Sequence, residues 1–377
     1  MYPRIRLSGL PRDRGRQYGA EAKNRIWASI DGYKAVFKRY ANLDWDEATA
    51  MARRYEAPTN ALSPSLIEEI RGIAEGADVA YDDVLAINCR TEIMFAGLAR
   101  MTKAGETPPV PPTECTAFAV LPERTTSGSV IIGQNWDWLG FAMETMVILE
   151  VEQDGAPNFV TVVEAGLLAK FGMNDRGVGL VTNALVSEAD IGAVGVPYHM
   201  LLRRMLDCRN MAEATGVLSK ATRASSANYV LASDEGIAIN AECSPGKAEG
   251  ISALTPHEGY IVHTNHFVSP TFRLADVMLA THADSLFRLQ SIQRDLQAPL
   301  KVSIESIQEG LRSHTDFPNS VCTHLPDGGD AMLDSVTVAS GVMDLNARRM
   351  WVAHGQPCTN LYHELDLSIL GAKTAVH

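Results

Sequence analysis

Cys115 stands where a proline-rich stretch, Thr107-Pro-Pro-Val-Pro-Pro-Thr-Glu114, gives way to an alternating segment, Cys-Thr-Ala-Phe-Ala-Val-Leu, that reads as a strand. If the Glu114–Cys115 bond is cut, one residue carries both a thiol nucleophile and a free α-amine able to take the thiol's proton. An α-amine titrates near about 7.7 and a lysine ammonium near about 10.4. At pH 7 about a sixth of such amines are therefore unprotonated, against fewer than about one in a thousand lysines. The cut creates a base matched to neutral pH. The competing reading is a small buried strand cysteine, the usual place for a free thiol.

Three further clusters carry chemistry. Gly133-Gln-Asn-Trp-Asp-Trp138 puts two indoles, an amide and a carboxylate at a strand end, where Asn135 and Asp137 can hydrogen-bond an amine or thiol that the tryptophans shield from water. In His263-Thr-Asn-His266, Asn265 is a candidate donor to a developing oxyanion. The two histidines lack the helical spacing and the glutamate of a zinc motif, so no metal is expected there. Asn183, closing another strand, is a second oxyanion or substrate contact, or else satisfies its own turn. Dinucleotide, phosphate-loop and Gly-x-Ser-x-Gly signatures are all missing from the sequence.

These residues need a scaffold. The first hundred residues read as mainly helical, over about 15–40, 46–55 and 63–76, with Ser63-Pro64-Ser65 opening the third helix. Residues 104–114, with four prolines and a glycine, form an exposed connector. Strands follow over 116–121, 129–134, 146–152 and 159–163. The pair 168–173 and 178–183 joins through Asn174-Asp175-Arg176-Gly177, and a third hairpin, 227–232 with 237–242, through Ser233-Asp234-Glu235-Gly236. Helices are expected over 197–208, 211–221, 274–296 and 304–312, and further strands over 260–263, 335–343 and 349–352. Hairpins around helix pairs imply a sandwich of sheets with helices on both outer faces.

Composition narrows the function. With 46% hydrophobic and 21% charged residues the chain is that of a globular protein, and a formal charge of −12 with no basic run argues against nucleic acid. Arg12, Asp13, Arg14 and Arg16 interrupt any apolar signal core, and no stretch reaches membrane-spanning length, so a cytoplasmic location without membrane contact is expected. The six cysteines, Cys89, Cys115, Cys208, Cys243, Cys322 and Cys358, form no Cys-x-x-Cys pair, so neither disulfides nor a zinc ribbon are expected.

Glu114-Cys-Thr-Ala117, Gly133-Gln-Asn-Trp-Asp137, Glu164-Ala-Gly166, Gly172-Met-Asn, Gly195-Val-Pro197 and His263-Thr-Asn-His266 together resemble the acyl-coenzyme A:6-aminopenicillanic acid acyltransferase family. Upstream, Arg71-Gly-Ile-Ala-Glu-Gly76 and Arg90-Thr-Glu92 extend the resemblance over nearly the whole chain. It implies an α+β N-terminal-nucleophile hydrolase with a four-layer αββα fold, made as one precursor that cuts itself between Glu114 and Cys115. Residues 1–114 and 115–377 would be the α and β fragments of one structural unit.

The resemblance also implies that Cys115 is the nucleophile, that Asp137 supports the new amine and that Asn265 serves the oxyanion. A more distant likeness to choloylglycine hydrolases adds Asn183. Ser226 and Ser320 match serines of the acyltransferase. Two departures stand out: Glu114 occupies a position where the family commonly has glycine, and Thr323-His324 replaces an arginine. The expected activity is hydrolysis of a small N-acyl amine, a β-alanyl-amine hydrolase being one member type, through an acyl-Cys115 thioester and without a cofactor. The alternatives are acyl transfer from a coenzyme A thioester to an amine, and a silent binding protein of the same fold. The expected partner is a small-molecule amide, with acyl-coenzyme A and a homo-oligomer left open.

Overall fold

A computed structural model describes residues 1–110 and 114–371. Residues 111–113 of the connector, the side chain of Glu114 and residues 372–377 lie outside the described residues.

Among the described residues two sheets stack face to face. The larger runs, in spatial order, Arg4–Leu7, Met146–Val151, Phe159–Glu164, Phe171–Asn174, Val178–Ala184, Ala227–Ser233, Ile237–Cys243 and Ile251–Leu254. It is an antiparallel meander closed at one edge by the parallel strand Arg4–Leu7. The smaller runs Tyr260–His263, Glu114–Val120, Ile131–Leu139, Ser335–Asp344, Arg349–His354 and Tyr362–Leu365. Helices Tyr198–Leu206 and Met211–Lys220 pack on the larger sheet, and Asp284–Gln297 on the smaller. The chain is thus α+β with the layer order αββα.

Alternation along each strand separates two cores. Cys115, Ala117 and Ala119 join the core between the sheets. Phe118, Val120 and Ile131 instead meet Ile292, Leu296 and Ile307 on the outer helical layer. The Arg71–Gly76 motif has a packing reason. A Cβ at Gly15 would come 2.2 Å from the carbonyl oxygen of Glu69, and one at Gly76 2.2 Å from that of Arg16. Helices Pro11–Glu21 and Pro64–Ala77 therefore cross with their backbones nearly touching.

The hairpins form where expected, with left-handed Gly155, Gly177 and Gly236 in the turns. Three differences stand out. The long helix begins at Asp284, not near 274, because residues 274–283 are spent on turns: Asp276 accepts from the N–H groups of Phe267 and Leu279, and Val277 N–H donates to Val186 O. The helical stretch over 15–40 breaks at Ala22 into Pro11–Glu21 and Lys23–Val36, and ends in a π turn, Phe37–Ala41. Strands Arg4–Leu7, Ile251–Leu254 and Tyr362–Leu365 were not expected, since each is only four residues long at a sheet edge, and the first also pairs with a strand far along the chain.

Candidate active site around Cys115

Strand Glu114–Val120 pairs antiparallel with Ile131–Leu139, placing Cys115 opposite Trp136 and Glu114 opposite Asp137. The Cys115 side chain therefore points with Trp136 toward the larger sheet, whereas Asp137 points with Asn135 to the outer layer. Gln134 confirms the inward face, its Oε1 accepting the Thr182 N–H at 2.8 Å.

The main chain of Cys115 is held on both sides. Its N–H donates to Asn265 Oδ1 at 2.6 Å, and its carbonyl accepts from Asn183 Nδ2 at 3.1 Å and Arg288 Nη1 at 2.9 Å. Arg288 also reaches Asn265 Oδ1 at 3.2 Å and Asp284 at 2.9 Å, while Asn265 Nδ2 donates to Ala184 O at 3.0 Å. Behind Asn183 stands His263, with Nδ1 3.2 Å from Asn183 Oδ1 and Nε2 3.0 Å from Glu242 Oε1. Contacts at both ring nitrogens fix the ring and through it the asparagine.

The thiol faces buried cations. Arg90 pairs with Glu164 at 2.6 Å, lies 4.2 Å from the centre of the Trp138 ring and donates to Tyr33 Oη. Lys170 donates to Tyr198 Oη at 3.0 Å and sits 5.2 Å from the centre of the Trp136 ring. Burial pushes the Cys115 thiol up, and the Lys170 charge pulls it back. Burial also pulls the Lys170 ammonium down to about 8, with the thiol opposing. Cys115 is 3% exposed, and the cavity it shares with Phe95, Trp136 and Tyr198 measures about 10 Å³. That is no more than one water needs.

The lowered Lys170 ammonium makes stability depend on pH. Between pH 8 and its ordinary 10.5 the folded chain has released this proton while the unfolded chain still holds it, so stability rises with pH across that window. Urea midpoints should show a contribution of about 2–3 kcal/mol between pH 8 and 10 in the parent that is missing from Lys170→Met. Identical pH profiles would assign the rise elsewhere.

The expected residues do not all converge. Cys115, Asn183 and Asn265 meet directly. Asp137 lines the same small cavity, but its Oδ1 accepts from Thr337 Oγ1 at 2.5 Å. Asn135 faces away from amine and thiol and is spent on the carbonyls of Leu311 and Val321. Ser226 donates to Asp190 at 2.5 Å and contacts Ser187 at 2.9 Å. The carboxyl it reaches is pushed up to about 6 by burial, with the serine contacts opposing. Ser320 lies in the loop behind Asp137, bonded to Cys322 O. His263 and His266 go to different partners, the latter to Ser285 at 2.8 Å. Arg288 and Lys170 were missed as site residues, since an isolated charge in a helix or beside a strand carries no signal until its burial is known; Glu164 was quoted as a motif residue but given no role.

Residues 124–359, more than half of the chain, match the profile of the acyl-coenzyme A:6-aminopenicillanic acid acyl-transferase family. The chain belongs to that family. The 40 kDa form of the acyl-coenzyme A:6-aminopenicillanic-acid-acyltransferase of Emericella nidulans is 28% identical over 263 residues, 70% of this chain and 68% of that protein. Among solved structures, a single-residue variant of the conjugated bile acid hydrolase from Clostridium perfringens aligns over 69% of this chain and 95% of its own, at 14% identity and a TM-score of 0.49. Penicillin V acylase from Agrobacterium tumefaciens covers the same share of this chain and 88% of its own, at 14% identity and a TM-score of 0.40. The acyltransferase-family match begins downstream of Cys115, so it covers Asp137, Asn183 and Asn265 but not the cysteine itself. No helix among the described residues is long and apolar enough to cross a membrane.

Proposed function

We propose that this chain is a self-processing cysteine amidohydrolase of the N-terminal-nucleophile type, with Cys115 as nucleophile. The observation that carries the reading is the three-sided grip on the Cys115 main chain by Asn265, Asn183 and Arg288. A packing cysteine has no need of three polar side chains on its own amide and carbonyl. A residue whose nitrogen must become a fixed base does.

In maturation the Cys115 thiolate attacks the Glu114 carbonyl carbon. The Glu114–Cys115 C–N bond breaks, the nitrogen takes a proton, and water hydrolyses the resulting thioester to leave the Glu114 carboxylate and a free thiol. The freed amine stays against Asn265 Oδ1 with Asp137 nearby. In turnover the amine takes the thiol proton, the sulfur adds to the substrate carbonyl, and the C–N bond breaks as the leaving amine departs with that proton; water, deprotonated by the same amine, then cleaves the acyl-Cys115 thioester, releasing the acid and restoring the thiol. Asn265 Nδ2 has a second hydrogen beyond the one given to Ala184, and Asn183 lies alongside; these serve the oxyanion. Residues 1–114 and 115–377 remain together as fragments, since Arg90 and Tyr33 from the first half meet Glu164 of the second in the interior.

The acyl half of the substrate has room in a groove of about 420 Å³ lined by Phe95, Leu98, Val186, Ile191 and Val277 and flanked by Pro108–Val110, next to the cut. Phe95 also borders the Cys115 cavity, so the two share a wall. This supports an apolar acyl group. The family and the Emericella nidulans relative favour a second reading, transfer of an acyl group from a coenzyme A thioester to an amine.

Intact-mass measurement on the purified protein, followed by a panel of amides with apolar acyl groups, tests the proposal. Fragments meeting at Glu114 and Cys115, with amide hydrolysis in buffer alone, support it. Turnover only when a thioester and an amine are both supplied moves the assignment to transferase. An intact chain that acylates nothing leaves a binding protein.

A further inference from the structure

Away from Cys115, on the outer side of the smaller sheet, four side chains of metal-binding type converge. His314, Cys322 and His324 belong to the loop that follows helix Ile304–Gly310, and Cys358 to the loop between strands Arg349–His354 and Tyr362–Leu365. Their ligand atoms all lie within 4.8 Å of one another. His324 Nε2 is 3.1 Å from His314 Nε2, 3.6 Å from Cys322 Sγ and 3.3 Å from Cys358 Sγ.

Those separations are the three edges that meet at His324 in a cluster of four ligand atoms. Zinc with bonds of about 2.3 Å to sulfur and about 2.05 Å to nitrogen would set N···N near about 3.4 Å and N···S near about 3.6 Å. The observed values fall within a few tenths of an ångström of both. Two thiolates and two neutral imidazoles also cancel a divalent charge, so a half-buried site is left without net charge. The approach is open: Cys322 is buried, Cys358 and His324 are partly covered, and His314 is exposed.

We propose that His314, Cys322, His324 and Cys358 form a structural zinc site. All four positions are filled by protein, which marks a closed, structural site and not a catalytic one. Its mechanical effect is to tie two loops far apart in sequence. The first is already folded on itself by Cys322 N–H to Ser313 O and His324 N–H to Pro318 O. Between the ligands Cys322 and His324, Thr323 N–H donates to Thr337 Oγ1 at 2.9 Å, and that hydroxyl donates to Asp137. The metal thus fixes the loop backing the Asp137 strand. This inference stands apart from the assignment of Cys115.

The test uses the full chain, purified without chelator, equilibrated with buffered zinc and desalted. Elemental analysis should find about one zinc per chain. Cobalt in its place should give the sulfur-to-cobalt charge-transfer band and the visible bands of a tetrahedral centre. Cys322→Ser/Cys358→Ser should retain no zinc. Should that pair fail to fold, His314→Ala changes only an exposed ligand and should weaken zinc at least about 100-fold in competition with a chromogenic chelator. Zinc content unchanged in these variants would overturn the proposal. So would a zinc-free parent whose Cys322 and Cys358 are found joined as a disulfide by mass.

Discussion

Replacing Cys115 by alanine should leave a single intact polypeptide of 40.9 kDa and abolish turnover together. The two losses would have one cause, because in the proposed mechanism the same sulfur opens the Glu114 carbonyl and later the substrate. Losing a nucleophile from a concerted site costs on the order of 10⁶ in rate. The fold should survive: Cys115 lies in a packed interior, and removing one sulfur costs about 1 kcal/mol, well within the reserve of a chain this size. Circular dichroism identical to the parent would confirm that. Cys115→Ser adds a finer reading. A hydroxyl with a higher pKa than the thiol is harder to ionise beside Lys170, so cleavage should continue slowly while turnover falls much further. Mass spectrometry of freshly purified and aged protein follows the first, and amide hydrolysis the second. A Cys115→Ala protein that still splits before residue 115, or still hydrolyses amides, removes the nucleophile assignment.

How much of this was legible without coordinates depended on how local each signal is. The hairpin at Asn174-Asp175-Arg176-Gly177 was readable because a left-handed turn demands glycine and the strands either side are its immediate neighbours. The edge strand Arg4–Leu7 was not, since its partner Met146–Val151 is far along the chain. The helix onset was misplaced by ten residues because Leu274, Val277 and Met278 mimic a helical stripe, whereas Asp276 turns the chain back onto Phe267. At the site, Asn183 and Asn265 were found at strand ends through motif and resemblance. The direction of Asn135 was misjudged, because a one-residue step along a strand sends the side chain to the opposite face. The Cys–His cluster went unread since Cys358 is distant in sequence from Cys322 and His324 and no short spacing announces it.

Arg90 carries the other large expected effect, and it can be separated into fold and chemistry. Its guanidinium is fully enclosed, paired with the equally buried Glu164, against Trp138 and 3.2 Å from His199 Nε2. Burial pushes the Glu164 carboxyl up and Arg90 holds it back, so each charge depends on the other. Arg90→Met alone strands a carboxylate in the interior and should cost about 3–5 kcal/mol, read as a lowered urea midpoint. In the double variant Arg90→Met/Glu164→Gln no unpaired charge remains, and most of that stability should return, because replacing a buried pair by neutral groups is often close to neutral. Cleavage and turnover should not return with it. The Cys115 thiol would then keep Lys170 and Arg288 but lose the Arg90 charge, so the thiol that burial already pushes up would rise further. A double variant that recovers both stability and activity reduces Arg90 to a packing partner of Glu164; one that recovers stability alone places its charge in the chemistry at Cys115.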